Sequence, residues 1–376
     1  MMPERTPVNL YDFEAAALAR LPRPTRDYYC GGANDEITLE RNRAAYEAIP
    51  LHYRVLRDVS QRDLGTSVLG IPLSMPIVVA PTACHQLAHP EGELATARAT
   101  GAAGTLMMIS TLANYALEDI CSAAKGPFWF QLYVYRDRGV TRELIRRAEA
   151  AGCRAIVLTV DAPVGGQRER DVRNEFCLPE GIVMRNLLPA GRAFAGLANG
   201  KGSAAAYINS MLDPSISWRD LDGLSAQTQL PVLVKGLVRA DDAVRAREHG
   251  AQGVIVSNHG GRQLDTSPAT IEVLEAISTA LDGRIEVLVD GGIRRGTDVL
   301  KALALGARAV LVGRPILWGL AVDGERGVRR VLDILREELD VAMALAGCCS
   351  VDEVDTDLIR PPTPVIGRPG SRWQPT

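Results

Sequence analysis

Nine consecutive residues, Ser257-Asn258-His259-Gly260-Gly261-Arg262-Gln263-Leu264-Asp265, set a titratable base three positions from a fixed cation, with two glycines between them. Glycines there let the backbone approach a ligand closely. A guanidinium can grip a carboxylate by a two-point fork, and an imidazole beside it can take a proton from the same molecule. The pair therefore suits proton abstraction from an acid substrate. A His and an Arg three residues apart are also commonplace in polar loops, so the pair carries weight only if other groups converge on it.

Two further clusters suit an anionic ligand. Asp290-Gly291-Gly292-Ile293-Arg294-Arg295-Gly296 and Gly313-Arg314 each combine backbone donors, close approach and a cation, as phosphate sites do. Lys235 lies inside the apolar run Val232–Gly236, where an unpaired ammonium would be costly, so it is expected to face an anionic ligand. His85 and His89 have the four-residue spacing of a metal pair, but Pro90 and the lack of a nearby Cys or carboxylate cluster argue against one. The seven cysteines are odd in number and lack metal-knuckle spacing. They read as reduced thiols, and no metal is expected.

The elements that must position these groups follow from hydrophobic patterning. Apolar, β-branched runs bounded by Gly, Pro or charge predict eight strands: Pro76–Pro81, Thr105–Thr111, Phe128–Val134, Ala155–Pro163, Val232–Gly236, Gly253–Asn258, Ile285–Gly292 and Ala309–Pro315. Amphipathic stretches between them predict helices at Glu91–Thr100, Leu117–Ala124, Thr141–Ala151, Ala240–His249, Thr270–Leu281 and Gly296–Leu305. Continuous rather than alternating apolar strands, each followed by a helix, imply a closed parallel (β/α)8 barrel of the TIM type. An open doubly wound sheet is the alternative, but no Gly-x-Gly-x-x-Gly turn follows the first strand. In such a barrel the chemistry sits at the carboxyl ends of the strands. The polar residues fall there: Pro81-Thr82-Ala83, Ser110, Gln131 and Tyr133, Thr159 and Asp161, Lys235, Ser257 and His259, Asp290, and Gly313-Arg314.

The chain is read as one domain over 1–360, with 1–75 as an amino-terminal cap carrying a helix near Tyr11–Leu21. Residues 76–346 form the barrel and carboxyl-terminal helices. A stretch of 164–230 is too long for an ordinary connection and reads as a lid, its Gly- and Ala-rich middle at Leu188–Ser203. Residues 361–376 read as a flexible tail.

Composition limits the function classes. With 376 residues and 47% apolar content a full core is available, while a net charge of −3 with scattered Lys and Arg argues against nucleic acid. No apolar run approaches the roughly 20 residues needed to cross a bilayer. The amino terminus lacks the pattern of a signal peptide, and Trp373–Thr376 is not a peroxisomal address, so a cytoplasmic location is expected.

The string 257–265 closely resembles the signature of the FMN-dependent 2-hydroxy acid oxidases, the family of glycolate oxidase, lactate oxidase and mandelate dehydrogenase. The likeness extends from about Val8 to Arg360. It implies FMN, with Gly292, Arg294, Gly313 and Arg314 at the phosphate and Asp290 at the ribityl chain. Lys235 would serve N1 and O2 of the ring. Ser110, Gln131, Thr159 and Ser257 would bond its edge, and the backbone of Pro81, Thr82 and Ala83 would pack on it. Arg168 and Arg262 match the substrate-carboxylate arginines, Tyr28 an auxiliary carboxylate ligand and Tyr133 the hydroxyl-binding tyrosine. His259 matches the base and Asp161 its partner.

There are departures. Leu112 stands where short-chain glycolate oxidases carry Trp, and Val164-Gly165-Gly166-Gln167-Arg168 replaces a more basic segment. The implied reaction is oxidation of an (S)-2-hydroxy acid (lactate-like, longer aliphatic or mandelate-type) to the 2-oxo acid, with O2 as acceptor giving H2O2. A dehydrogenase with another acceptor, a monooxygenase, a non-redox isomerase and a non-catalytic binding barrel are the alternatives. A homo-oligomer, tetramer or octamer, is implied by the same resemblance.

Overall fold

A computed structural model describes residues 7–190 and 210–360. Three helices open the chain, α1 (Leu10–Arg20), α2 (Arg23–Cys30) and α3 (Ile37–Glu47), followed by a hairpin of β1 (Thr66–Val68) and β2 (Ile71–Leu73). Asn9 caps α1 by accepting a hydrogen bond from the Asp12 amide.

All eight expected strands are present and close into a parallel barrel: β3 (Ile77–Val79), β4 (Met107–Ile109), β5 (Phe128–Leu132), β6 (Ile156–Thr159), β7 (Val232–Leu237), β8 (Gly253–Val256), β9 (Glu286–Asp290) and β10 (Ala309–Val312). Closure is made by β10 on β3, with Val310 opposite Ile77. Most strands are shorter at their carboxyl ends than the patterning suggested. Ser110, Tyr133, Asp161, Ser257 and His259 lie just beyond the ladder, while Gln131, Thr159, Lys235 and Asp290 remain paired within it near its carboxyl end.

Neighbouring residues along each strand serve different cores. Val78, Leu106, Met108, Trp129, Val157, Leu233, Ile255, Leu288 and Leu311 form one compact cluster together with Val68 and Leu73 of the hairpin. Ile77, Val79, Met107, Ile109, Phe130 and Ile156 belong to the larger cluster shared with the helices. The period of two is that of β-structure with both faces buried. Val68 and Leu73 thus pack into the barrel interior from the hairpin, which fills one end of it.

The barrel helices are α4 (Gly92–Ala103), α5 (Leu117–Ala123), α6 (Arg138–Ala150), α8 (Trp218–Ser225), α9 (Ala240–Glu248), α10 (Thr270–Leu281), α11 (Gly296–Ala304) and the start of α12 (Arg314–Ala346); a short α7 (Glu169–Arg173) follows β6. The helical stretch Arg314–Ala346 is two helices that meet at a kink at Asp323 and Gly324. One sequence expectation is revised. The stretch 164–230 contains α7 and, in α8, a barrel helix opened by a Ser217–Asp220 capping box, so it is not lid throughout. Residues 191–209 of the expected lid lie outside the described residues, as do 1–6 and the tail 361–376.

Candidate active site

At the carboxyl ends of the strands lies a cavity of about 790 Å³. Its walls include Tyr28, Pro81, Thr82, Ala83, Ser110, Leu112, Gln131, Tyr133, Thr159, Arg168, Lys235, His259, Arg262, Asp290, Gly292, Arg294, Gly313 and Arg314. Asp161 and Ser257 are the two expected site residues that do not line it. Both sit behind residues that do.

Asp161 backs the base. His259 Nδ1 and Asp161 Oδ1 are 2.8 Å apart. The carboxylate accepts a hydrogen bond from Nδ1–H and leaves the Nε2 lone pair as the ring's free acceptor. His259 holds φ of +58, an uncommon conformation for a non-glycine residue. It is held there by this bond and by its amide, which donates to Ser257 Oγ at 3.1 Å. Desolvation opposes the charge on Asp161, but His259 and Lys235 outweigh it and keep the carboxyl below its ordinary pKa. Asp161 rests directly on Gly236, whose φ is +112; a Cβ there would lie 2.7 Å from Asp161 Cβ, so the position requires glycine.

Lys235 differs from expectation. Its ammonium is not left for a ligand alone: Nζ pairs with Asp290 Oδ2 at 2.8 Å and donates to Ser257 Oγ at 2.8 Å. Desolvation disfavours its charge, but Asp290 and Asp161 overcome this and raise its pKa. Ser257, fully buried, therefore joins Lys235 to the His259 backbone instead of facing the cavity. Asp290 keeps its other oxygen, Oδ1, buried without a hydrogen-bond partner among the described residues.

The acid-binding side combines two cations with aromatic walls. Arg262 Nη1 donates to the carbonyls of Tyr28 and Gly31 at 2.7 and 2.9 Å. Arg168 lies 3.3 Å from Asp171, and both guanidiniums flank the Tyr28 ring at 5.9 and 5.2 Å. Tyr28 in turn stacks on Phe176 at 4.5 Å. Desolvation, followed by Arg168, lowers the pKa of Arg262, so an added carboxylate would relieve both. Desolvation raises the pKa of Tyr133, with Asp161 adding to it, and Tyr133 stays a neutral hydrogen-bond donor.

At the opposite end Arg294 is buried over the Trp318 ring at 4.7 Å, its Nε unpaired among the described residues. Desolvation brings its pKa down to about 10. Arg314 is brought down to about 9 by desolvation, then by Arg262 and Arg294. Arg314 also does something the sequence did not announce. It donates to the carbonyls of Tyr29, Gly260 and Gly31 at 3.0, 2.9 and 3.1 Å, clasping the cap to the catalytic loop. Between the two ends runs a row of neutral groups. Ser110 Oγ donates to Gln131 Oε1 at 3.4 Å and Gln131 Nε2 to Thr159 Oγ1 at 3.0 Å. Enclosed cations with an orphaned Nε, a buried carboxylate oxygen without a donor and a neutral polar edge fit a phosphate, a polyol and a heteroaromatic ring. FMN carries those three parts.

Sequence reading missed one wall of the cavity. Phe176, Leu178, Met184 and Leu212 line it together with Leu112. The Arg185 amide donates to the Ala113 carbonyl at 3.2 Å, and Asn114 Nδ2 donates to the Val183 carbonyl at 3.1 Å. These ties hold Met184 beside Leu112. No periodicity marks this stretch, and only its contacts give it a role.

The model of the FMN-dependent dehydrogenase family matches residues 17–361. An L-lactate oxidase of Nostoc sp. is 51% identical over 94% of this chain and 98% of its own length. The 2-hydroxyacid oxidase 1 of Homo sapiens is 50% identical, covering 96% and 98%. Among solved structures, a mandelate oxidase with (S)-4-hydroxymandelic acid superposes with a TM-score of 0.88 at 46% identity, covering 93% of this chain and 97% of that one.

Proposed function

The chain belongs to the FMN-dependent dehydrogenase family and is an FMN-dependent oxidoreductase of the 2-hydroxy acid oxidase type; on that footing we propose that it oxidises an (S)-2-hydroxy acid with an apolar side chain to the 2-oxo acid and passes the electrons to O2, forming H2O2. The observation that carries this reading is the convergence of His259, backed by Asp161, with Arg168, Arg262 and Tyr133 on one cavity.

Each residue has a task that its surroundings support. Arg168, which keeps its Asp171 pairing, and Arg262 would take the substrate carboxylate between them. Tyr133, a neutral donor, bonds the substrate hydroxyl. His259 Nε2 removes a proton, and Asp161 stabilises the imidazolium that results. FMN, when bound, accepts the two electrons. Arg294, Gly292, Gly313 and Arg314 would hold its phosphate and Asp290 its ribityl hydroxyls, with Pro81–Ala83 against the ring. Lys235 would put a positive charge beside it, which favours the reduced ring when that is anionic. Leu112, Met184, Phe176 and Leu178 would receive the side chain, which supports lactate, longer aliphatic and mandelate-type acids over glycolate. The similarity to mandelate oxidase structures, one of them with (S)-mandelic acid, supports the mandelate-type end of that range.

The test begins with the visible spectrum of the purified protein and proceeds to anaerobic mixing with a panel of 2-hydroxy acids. Flavin bleaching by one of them, then recovery in air with one H2O2 formed per flavin, is the expected result. Failure of every acid to bleach the flavin would refute the substrate class. Bleaching without recovery in air would refute O2 as acceptor.

A further inference from the structure

One buried imidazole has no task in the chemistry above. His85 begins the 3-10 turn His85–Leu87 just after β3 and is 1% exposed. Both of its ring nitrogens meet hydroxyls, Nε2 at 2.7 Å from Thr82 Oγ1 and Nδ1 at 2.9 Å from Thr96 Oγ1. Desolvation lowers its pKa, against the raising influence of Glu93 and the Thr82 carbonyl, so the ring is neutral at pH 7. The Glu93 carboxylate bonds the His85 backbone amide at 3.1 Å and not the ring. A neutral imidazole has one N–H and one lone pair. One threonine must therefore donate to it while the other accepts.

Thr96 decides which. It sits on α4, and its hydroxyl reaches the carbonyl of Gly92 one turn back at 3.3 Å. With its hydrogen given to that carbonyl, Thr96 accepts from Nδ1–H. Nε2 is then bare, and the Thr82 hydroxyl must donate to it. Thr82 lines the cavity. With its hydrogen turned inward, Thr82 offers the cavity lone pairs alone. The opposite tautomer would forfeit the Thr96–Gly92 bond and leave the Thr82 hydrogen free to point outward.

We propose that His85 is a positioning residue that keeps the Thr82 hydroxyl hydrogen away from the cavity, making Thr82 an acceptor toward FMN and so favouring the reduced cofactor, which carries a ring N–H that the oxidised form lacks. The proposal rests on the placement of FMN against Thr82 given above. It assigns to the Thr82–His85–Thr96 relay an influence on the redox balance of the cofactor with no direct contact between His85 and the ring.

The experiment uses the FMN-loaded enzyme and reads the midpoint potential of its flavin against a reference dye, with the visible spectrum reporting independently that FMN is bound. Thr96→Val removes the acceptor of Nδ1–H, so the ring proton moves to Nε2 and the Thr82 hydrogen turns outward. One neutral hydrogen bond changes the reduced-to-oxidised ratio about tenfold, ~30 mV for a two-electron couple. The potential should fall by that amount, Thr96→Ser should restore it, and Thr96→Val should have no effect when Thr82→Val is already present. An unmoved potential in Thr96→Val, or the same shift in the Thr82→Val background, would overturn the proposal. A second reading needs no Thr96 variant: 15N shifts of histidine-labelled wild type, assigned by the signal lost in His85→Gln, should put the ring proton on Nδ1. A proton on Nε2 overturns it equally. A wild-type protein without flavin absorbance would strike the FMN placement instead.

Discussion

Replacing Asp161 by asparagine keeps volume and shape and removes one charge. When His259 takes up a proton, imidazolium and carboxylate face each other across a 2.8 Å bond in a cavity of low dielectric. At about 4 Å between charge centres and an effective dielectric constant near 20, their attraction is about 4 kcal/mol. The amide recovers part of this through its dipole, and it can also donate to Nδ1, which would put the ring proton on Nε2 and block the base. A loss of roughly 2–4 kcal/mol corresponds to about 30- to 1000-fold in rate. Anaerobic stopped-flow reduction of the flavin by the best acid measures the step without interference from reoxidation. A rate within about threefold of wild type would refute the base–partner assignment.

Stability should report the same pair. The folded-state pKa of Asp161 lies below its ordinary value. Its charge therefore stabilises the fold above about pH 4, and that contribution is lost as pH falls through the lowered value. The thermal stability of Asp161→Asn should accordingly decline less steeply with acidification below about pH 4.

Three other outcomes are expected. His259→Gln should retain FMN by its visible spectrum but reduce the flavin about 10²–10⁴-fold more slowly; near-wild-type reduction would mean another base. Arg168→Lys and Arg262→Lys should each raise KM and slow reduction, because lysine keeps the charge and loses the planar fork; unchanged kinetics in both would place the acid elsewhere. Leu112→Trp should shift kcat/KM toward glycolate by about 10–200-fold relative to lactate or mandelate, the range for one or two methylene groups; a wild type that already prefers glycolate would defeat this reading of the pocket.

The barrel was legible because its signal is local. Each strand is an apolar run, and its polar interruptions fall at or near the carboxyl end of the ladder, so the rim residues could be named before their geometry was known. Contacts across the rim were not legible in this way. That Lys235 meets Asp290 from another strand, that Ser257 turns inward, and that Arg314 reaches Tyr29 and Gly31 all depend on how segments far apart in sequence come together. The α8 helix was hidden inside a long connection, although Ser217 three residues before Asp220, with Leu221 and Leu224 buried beyond, carried a helix-start signal. Met184 had no such signal. It owes its position to backbone bonds with Ala113 and Asn114.

The Arg314 clasp also joins distant parts of the chain. Three carbonyls, two from the cap and one from the catalytic loop, converge on a side chain that begins the last helical stretch, so first and last parts of the chain are fastened beside the expected phosphate end. Losing that guanidinium would take a donor from all three carbonyls at once, so the amino-terminal helices and the His259 loop share an anchor and a change there reaches both.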